Sequence, residues 1–140
     1  MKENINVIVH FSYIIKTYWH FIQESMKDSP FSPNEMNLML FLANNKADTA
    51  IDFVKETGMS KSLLTRSVDS LMEQSYIRKE PDQEDKRFIH LKLTEKGEEI
   101  AMILRTLRSD FIDKLTDNIP QEEFLAFQET LEKMKQNTLK

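Results

Sequence analysis

The sequence predicts a mainly α fold with a small β-hairpin wing: a winged helix-turn-helix domain plus long N- and C-terminal helices. Three observations predict it. The 140 residues contain only two glycines, which favours helices over tight turns. Apolar residues recur at helical spacing at both ends of the chain. Between them, Asp82 to Gly97 reads DQEDKRFIHLKLTEKG, a charged turn, a run of strand formers and a helix start. That hairpin follows directly on a candidate helix-turn-helix. A chain of this length is read as one domain, 1-140, with a real core.

The first helix is expected over about 5-27. Ile5, Ile8, Val9, Ile15, Trp19, Ile22 and Met26 form one apolar line. Val7, Phe11, Ile14, Tyr18 and Phe21 form a second on the same cylinder. One stripe docks a helix on a core, and a second asks for further cover, for which a partner subunit is the reading. Ser29-Pro30-Phe31-Ser32-Pro33 then punctuates the chain. Ser32 is a good N-cap, with Pro33 at the first helical position and Glu35 at the third. The helix that follows should end near Ala43 and bury Met36, Met39, Leu40 and Leu42. Asn44 to Ala47 forms a polar break.

Asp48 or Thr49 starts a short helix to about Thr57, with Ile51, Phe53 and Val54 inward. Gly58 suits a left-handed C-terminal position. Ser60 then caps a helix to about Gln74, whose apolar stripe is Leu64, Val68, Leu71 and Met72, with Leu63 at its edge. Helix, glycine turn and helix make a helix-turn-helix pattern. Tyr76 to Lys79 reads as a strand ended by Pro81, and Phe88 to Leu93 as its return. Thr94 offers an N-cap and Glu95 a favourable first-turn charge. A second long helix runs over about 94 to 117, with Ile100, Ile103, Leu104, Leu107, Phe111 and Leu115 at helical spacing. Ile119-Pro120 breaks it. A last helix from about Gln121 to Gln136 carries Phe124, Phe127, Leu131 and Met134.

The absence of cysteine excludes disulfides, zinc-thiolate sites and thiol redox sensing. Histidines stand at positions 10, 20 and 90. His10 and His20 are ten residues apart on one helix, which does not stack them on a face, so no metal site is expected. No nucleophile–base pair, phosphate-cradling glycine loop, metal-ligand spacing or cofactor motif is present, which argues against an enzyme. No apolar run approaches the roughly 18 residues of a membrane span, and no signal peptide is seen at the N-terminus. A cytoplasmic protein is the default, with no membrane partner.

The net charge of −4 weighs against nucleic acid only in a crude screen. Lys61, Arg66, Arg78 and Lys79 outnumber Asp69 and Glu73 over residues 61–79. Local charge of this kind governs contact with phosphate. A recognition helix buries one face and shows the other to the major groove. The exposed face is expected to carry Lys61, Ser62, Thr65, Arg66, Asp69 and Ser70. Lys61 and Ser62 lie in the first turn, where backbone N–H groups favour phosphate. Arg66 suits a base edge and Thr65 a thymine methyl or a phosphate. At the wing, Arg87 suits a narrow minor groove, and Asp85 is expected to orient it by a salt bridge.

These residues resemble the MarR family, the multiple-antibiotic-resistance type of bacterial transcription regulators. FSPNEMNLMLFL is similar to the family's helix ahead of the helix-turn-helix. FVKETGMSKSLLTRSVDSLMEQSYIRKEPDQEDKRFIHLKLTEKG is similar to its helix-turn-helix and wing. Asp85-x-Arg87 followed by Leu93-Thr94-x-x-Gly97 is the most specific part. The resemblance implies a two-fold dimer, with dimerisation helices over about 5-27 and 94-138 and a DNA-binding lobe over about 32-93. It implies Ser60 to Ser70 as the recognition face, and Ser60, Lys61, Ser62, Thr65, Arg66, Ser70, Asp85, Lys86 and Arg87 as DNA-binding residues. It also implies a small aromatic ligand that releases DNA, for which Phe11, Tyr18, Trp19, Phe21 and Phe111 are the candidate lining; aromatic residues at that spacing more often form core. Four residues depart from the family pattern. Ser75 stands where glycine is usual, Gln83 for proline, Lys86 for arginine and Ser70 for a basic residue. The implied function is a homodimeric regulator of double-stranded DNA, usually a repressor. The alternative is a winged-helix interaction module that has lost specific DNA binding.

Overall fold

In the computed structural model the described residues are 4–44 and 47–140, with side chains from Asn6 onward. Ile5's side chain, Asn45 and Lys46, which figure in the expected first stripe and polar break, lie outside them. Six helices and one hairpin follow in the order α1 Asn4–Ser25, α2 Pro33–Ala43, α3 Ala50–Thr57, α4 Lys61–Glu73, β1 Ile77–Pro81, β2 Ile89–Leu93, α5 Glu95–Leu115 and α6 Gln121–Thr138. This is a mainly helical winged-helix fold. Two compact units divide the chain, Met1–Arg108 and Ser109–Lys140.

The core lies in the first unit. Met36, Leu38, Met39, Leu40 and Leu42 of α2 meet Phe53 of α3, Leu64, Val68 and Leu71 of α4, and Ile77 and Leu91 of the hairpin. Ile22 of α1 and Leu104 of α5 complete it, with Tyr18, Trp19 and Phe21 packed against it half-buried. α2 is therefore the central helix, apolar on more than one side, and Leu38 joins the residues expected to be buried. Its N-terminus is a complete capping box: Ser32 Oγ accepts from Glu35 N–H, and Glu35 Oε1 accepts from Ser32 N–H at 2.8 Å.

Ile51 was expected inward beside Phe53 but is 59% exposed. Two residues along a helix is about 200° of turn, so a helix of two turns cannot bury both on one narrow face. Of the α5 residues at helical spacing, Leu104 and Phe111 are buried, while Ile103 and Leu115 are exposed. α6 buries none of its side chains, although Phe124 and Phe127 stack at 6.2 Å between centroids.

The two glycines have different jobs. Gly58 closes α3 at φ 72°, and its N–H reaches Val54 O at 2.8 Å. No atom crowds its missing Cβ, so the left-handed backbone alone calls for glycine there. Gly97, in the first turn of α5, is called for by space. A Cβ there would stand 2.0 Å from the Tyr76 carbonyl oxygen.

That carbonyl belongs to the turn leaving α4. Tyr76 N–H reaches Leu71 O at 2.8 Å and Ser75 N–H reaches Met72 O at 3.0 Å, a Schellman motif. Ser75 occupies its left-handed position at φ 67°. The departure from glycine therefore leaves the turn's shape intact and places a side chain where L-residues are strained.

Two substitutions should move stability in opposite directions. Gly97→Ala should destabilise by about 1–3 kcal/mol through overpacking against backbone. Ser75→Gly should stabilise by about 0.5–1 kcal/mol as left-handed strain is relieved. Urea unfolding of the full chain checks both, read as a midpoint shift at constant slope.

Candidate nucleic-acid interface

The candidate site begins at Ser60, whose side chain accepts from Leu63 N–H at 3.3 Å and caps α4. The helix buries Leu64, Ser67, Val68 and Leu71. The 100° step then leaves Lys61, Ser62, Thr65, Arg66 and Asp69 exposed together on the opposite side. Thr65 gives its hydroxyl proton to Lys61 O at 3.0 Å, which leaves its methyl and oxygen lone pairs outward. Leu63 is 40% exposed beside this face, an apolar group that the charge-based reading left at the edge.

Ser70 departs from that exposed face. It is half-buried and donates to Glu35 Oε2 at 2.8 Å, while Gln74 Nε2 donates to Ser70 Oγ at 3.0 Å. The reason is angular, since Ser70 lies on the edge of α4 that meets α2. Glu35 is 6% exposed, and its two oxygens serve different elements: one caps α2 and the other receives α4. The sequence signalled only the capping half, because 35 residues separate Glu35 from Ser70.

The wing is the antiparallel pair β1–β2, in register from Ile77 opposite Leu93 to Pro81 opposite Ile89. Pro81 sits at the end of the ladder, where its missing N–H matters least. Asp82 organises the turn. Its Oδ2 accepts from the N–H groups of Glu84 and Asp85 at 3.1 and 2.9 Å. Asp85 then grips Arg87, accepting from its backbone N–H and from Nε at 3.0 Å and from Nη2 at 2.8 Å. Arg87's side chain is 88% exposed even so. Two of its five N–H bonds are engaged, and three point outward in a fixed plane. Arg87's hydrogen bonds hold the Asp85 carboxyl below its usual range, and the same contact raises Arg87. Lys86 and Gln83 are exposed beside it.

A second charged group lies at the wing's base. His90 on β2 contacts Asp48 and Asp82, and Lys92 Nζ lies 2.6 Å from Asp48 Oδ2. Asp48 also gives its carbonyl to Leu91 N–H at 2.8 Å, and Thr49 forms an isolated antiparallel bridge with His90, so the residues ahead of α3 lie against β2. His90 therefore bridges elements, unlike the exposed His10 and His20 of α1. No local pattern announces it, because Asp48 is 42 residues away.

Four of the five aromatic residues named for a ligand lie on α1 and the fifth on α5. Tyr18 and Trp19 meet edge to face at 4.9 Å, and with Phe21 they pack on the core. Phe11 is half-buried on α1, and Phe111, in the second unit, is buried. A cavity of about 530 Å³ in the first unit has other walls, among them Leu42, Asp48, Arg78, Leu91, Met102 and Arg105. Among the described residues no cluster of side chains could hold a metal ion, and no helix is long and apolar enough to cross a membrane.

Ser70→Ala should cost about 1–3 kcal/mol, since it leaves a buried oxygen of Glu35 without its donor. Thermal unfolding of the full chain reads this loss.

Comparison with known proteins places this geometry. Residues 29–87 match the sequence model of the MarR family. A curated relative, the uncharacterized HTH-type transcriptional regulator YpoP of Bacillus subtilis, is 24% identical over 107 residues, 76% of each chain. A MarR-family regulator from Silicibacter pomeroyi superposes with TM-score 0.80 at 23% identity, over 91% of this chain and 86% of that one. Streptococcus pneumoniae FabT, solved in complex with DNA, gives TM-score 0.77 at 22% identity over 96% and 98%.

Proposed function

We propose that the chain, whose residues 29–87 match the MarR family model and whose fold is that of solved MarR-family structures, is a homodimeric DNA-binding transcriptional regulator of the repressor kind. One observation carries the reading. Lys61, Ser62, Thr65 and Arg66 lie exposed on one face of α4, and Arg87 stands outward on a braced wing. The α4 face suits the major groove, with Arg66 on a base edge and Lys61 on a phosphate. Arg87 suits the minor groove, its plane set by Asp85 and its three outer N–H groups left for acceptors. Ser60 holds the end of α4 whose N–H groups favour phosphate, and Lys86 adds charge at the wing. Ser70 supports the interface from behind, through Glu35, in place of the direct contact expected of it.

The dimer rests on apolar surface. Ile8, Val9 and Ile15 of α1 are 63%, 56% and 55% exposed, and Leu125, Phe127 and Met134 of α6 are 51%, 44% and 42% exposed. Apolar surface of this extent marks an interaction site. The chain then works as one unit, 1-140, with the lobe over 32-93 and dimerisation helices over 5-27 and 94-138. A two-fold dimer sets half-sites about 34 Å apart, one helical turn. Release by a small ligand belongs to the same reading, and such a ligand has to favour the arrangement that does not hold DNA. A binding protein in the cytoplasm, with no enzymatic step, fits the regulators it is similar to.

The test is binding to the chain's own upstream DNA, titrated against salt with an unrelated duplex as competitor. The expected result is a footprint on two half-sites one turn apart that survives the competitor. Binding abolished equally by any duplex would instead favour an interaction module, a reading that the net charge of −4 motivates.

Two variants separate the contacts. Arg87→Ala should weaken operator binding several-fold while sedimentation still reports the dimer. Arg66→Ala should relax base preference at one position per half-site; a uniform loss across sequences would make Arg66 a phosphate contact.

A further inference from the structure

His90 sits between two carboxylates that belong to different parts of the lobe. Its Nδ1 is 2.5 Å from Asp48 Oδ1, just ahead of α3, and its Nε2 is 2.8 Å from Asp82 Oδ1, at the start of the wing turn. An ionised carboxylate only accepts hydrogen bonds, so both ring nitrogens have to donate. Only the imidazolium does that. A neutral ring donates once and turns a lone pair toward the other carboxylate.

We propose that His90 is the positioning residue of the wing, and that its protonation sets how firmly the Arg87 turn is held against the start of the helix-turn-helix. The consequence for DNA rests on the function proposed above; the hold itself does not. Transmission runs through named bonds. Asp82 uses one oxygen for His90 and the other for the N–H groups of Glu84 and Asp85, and Asp85 then fixes Arg87. Asp48 uses one oxygen for His90 and the other for Lys92, while its carbonyl pairs with Leu91. Among the described residues Glu80 also stands opposite His90 across the strands, paired with Arg78 at 2.8 Å.

The electrostatics agree in sign. The hydrogen bond to Asp48, then that to Asp82, raises His90 above its usual 6.5, against a smaller effect of burial. Asp82 is lowered chiefly by its bond from His90. Burial opposes the ionisation of Asp48, and the bonds and charges of Lys92 and His90 together outweigh it. A raised histidine contributes its hold fully below its ordinary value and loses it as pH rises through the raised one. The lowered carboxylates contribute above their ordinary 3.8 and lose their share as pH falls through their depressed values. The wing is thus held from mildly acidic pH up to the His90 transition and loosens above it.

The experiment has two arms on the full chain. In the first, without DNA, NMR follows the His90 ring and the exchange protection of the Asp85 and Phe88 amides, corrected for intrinsic rate. The expected result is a His90 transition above 6.5, with protection falling several-fold across it. A transition at or below 6.5, or protection that does not change, overturns the proposal. In the second, operator affinity is measured at constant ionic strength from pH 6 to one unit above that transition. A several-fold loss is expected for the native chain, and none across the same range for His90→Gln or Arg87→Ala. A loss that persists in both variants also overturns it. Should His90→Gln fail to fold, Asp82→Asn replaces it and should lower the His90 transition; an unmoved transition counts against the bridge. Failure of the DNA-binding reading looks different: no specific DNA is bound at any pH while the first arm still succeeds.

Discussion

The lobe depends on one close approach, the first turn of α5 against the turn that leaves α4. Three consecutive carbonyls emerge from that turn, and residues at the start of α5 take all of them. Lys96 Nζ reaches Gln74 O at 3.0 Å, Thr94 Oγ1 reaches Ser75 O at 2.7 Å, and Thr94 N–H reaches Tyr76 O at 3.0 Å. Thr94 Oγ1 also accepts from Gly97 N–H at 3.1 Å, so one hydroxyl caps α5 and ties it to the turn. Lys96 lies 4.3 Å from the centre of the Tyr76 ring, which adds a cation–π contact to its hydrogen bond. Both strands of the wing leave from this junction. The angle between α4 and the wing is set there.

This junction also explains a pattern that sequence alone presents as mere spacing. Thr94-x-x-Gly97 reads as an N-cap with a glycine at the third helical position, and the cap is indeed made. The glycine has nothing to do with capping. It is needed because the α5 backbone runs against the Tyr76 carbonyl, a contact across 21 positions that no local rule encodes. Ser75 shows the complementary case. A departure from glycine suggested a reshaped turn, and the backbone adopts the left-handed position anyway, because the bonds of the Schellman motif and Thr94's grip on its carbonyl fix it there.

The helices and hairpin were legible because each carries its own period and its own cap. Ser32 and Ser60 cap where their residue types and followers say they should, and of Asp48 and Thr49 it is Thr49 that caps α3. Two kinds of feature were not legible. Polar groups joined across long separations, such as Glu35 with Ser70 or His90 with Asp48, leave no mark in a window of one helix turn. Faces of short helices are the other kind, because apolar identity alone does not say which of Ile51 and Phe53 will win the core. At the candidate site the exposed set Lys61, Ser62, Thr65 and Arg66 follows from the buried stripe by angle alone. Ser70, nominally on the same set, is claimed by a buried carboxylate that had only one of its oxygens satisfied by α2.

The placing of charge resolves what net charge obscured. The chain is acidic overall, yet four carboxylates at the wing are already engaged, while Asp69 stays exposed on the α4 face. Asp85 is spent on Arg87, Asp82 on the turn and His90, Asp48 on His90 and Lys92, and Glu80 on Arg78. Each pair removes a negative charge from the field that an approaching phosphate would meet, and each leaves a cation braced. Arg87 illustrates the balance. A free arginine at a loop tip has many rotamers to lose on binding, whereas Asp85 has already restricted this one while leaving three N–H groups outward. On the proposed function, Asp85 lowers the entropy cost of a minor-groove contact at the expense of part of the cation's charge. Which effect is larger depends on screening: Coulomb attraction between exposed charges fades with salt, and preorganisation does not. On the proposed function, the part of Arg87's contribution that comes from its bracing by Asp85 would persist as salt rises, while the part that comes from charge alone would fade.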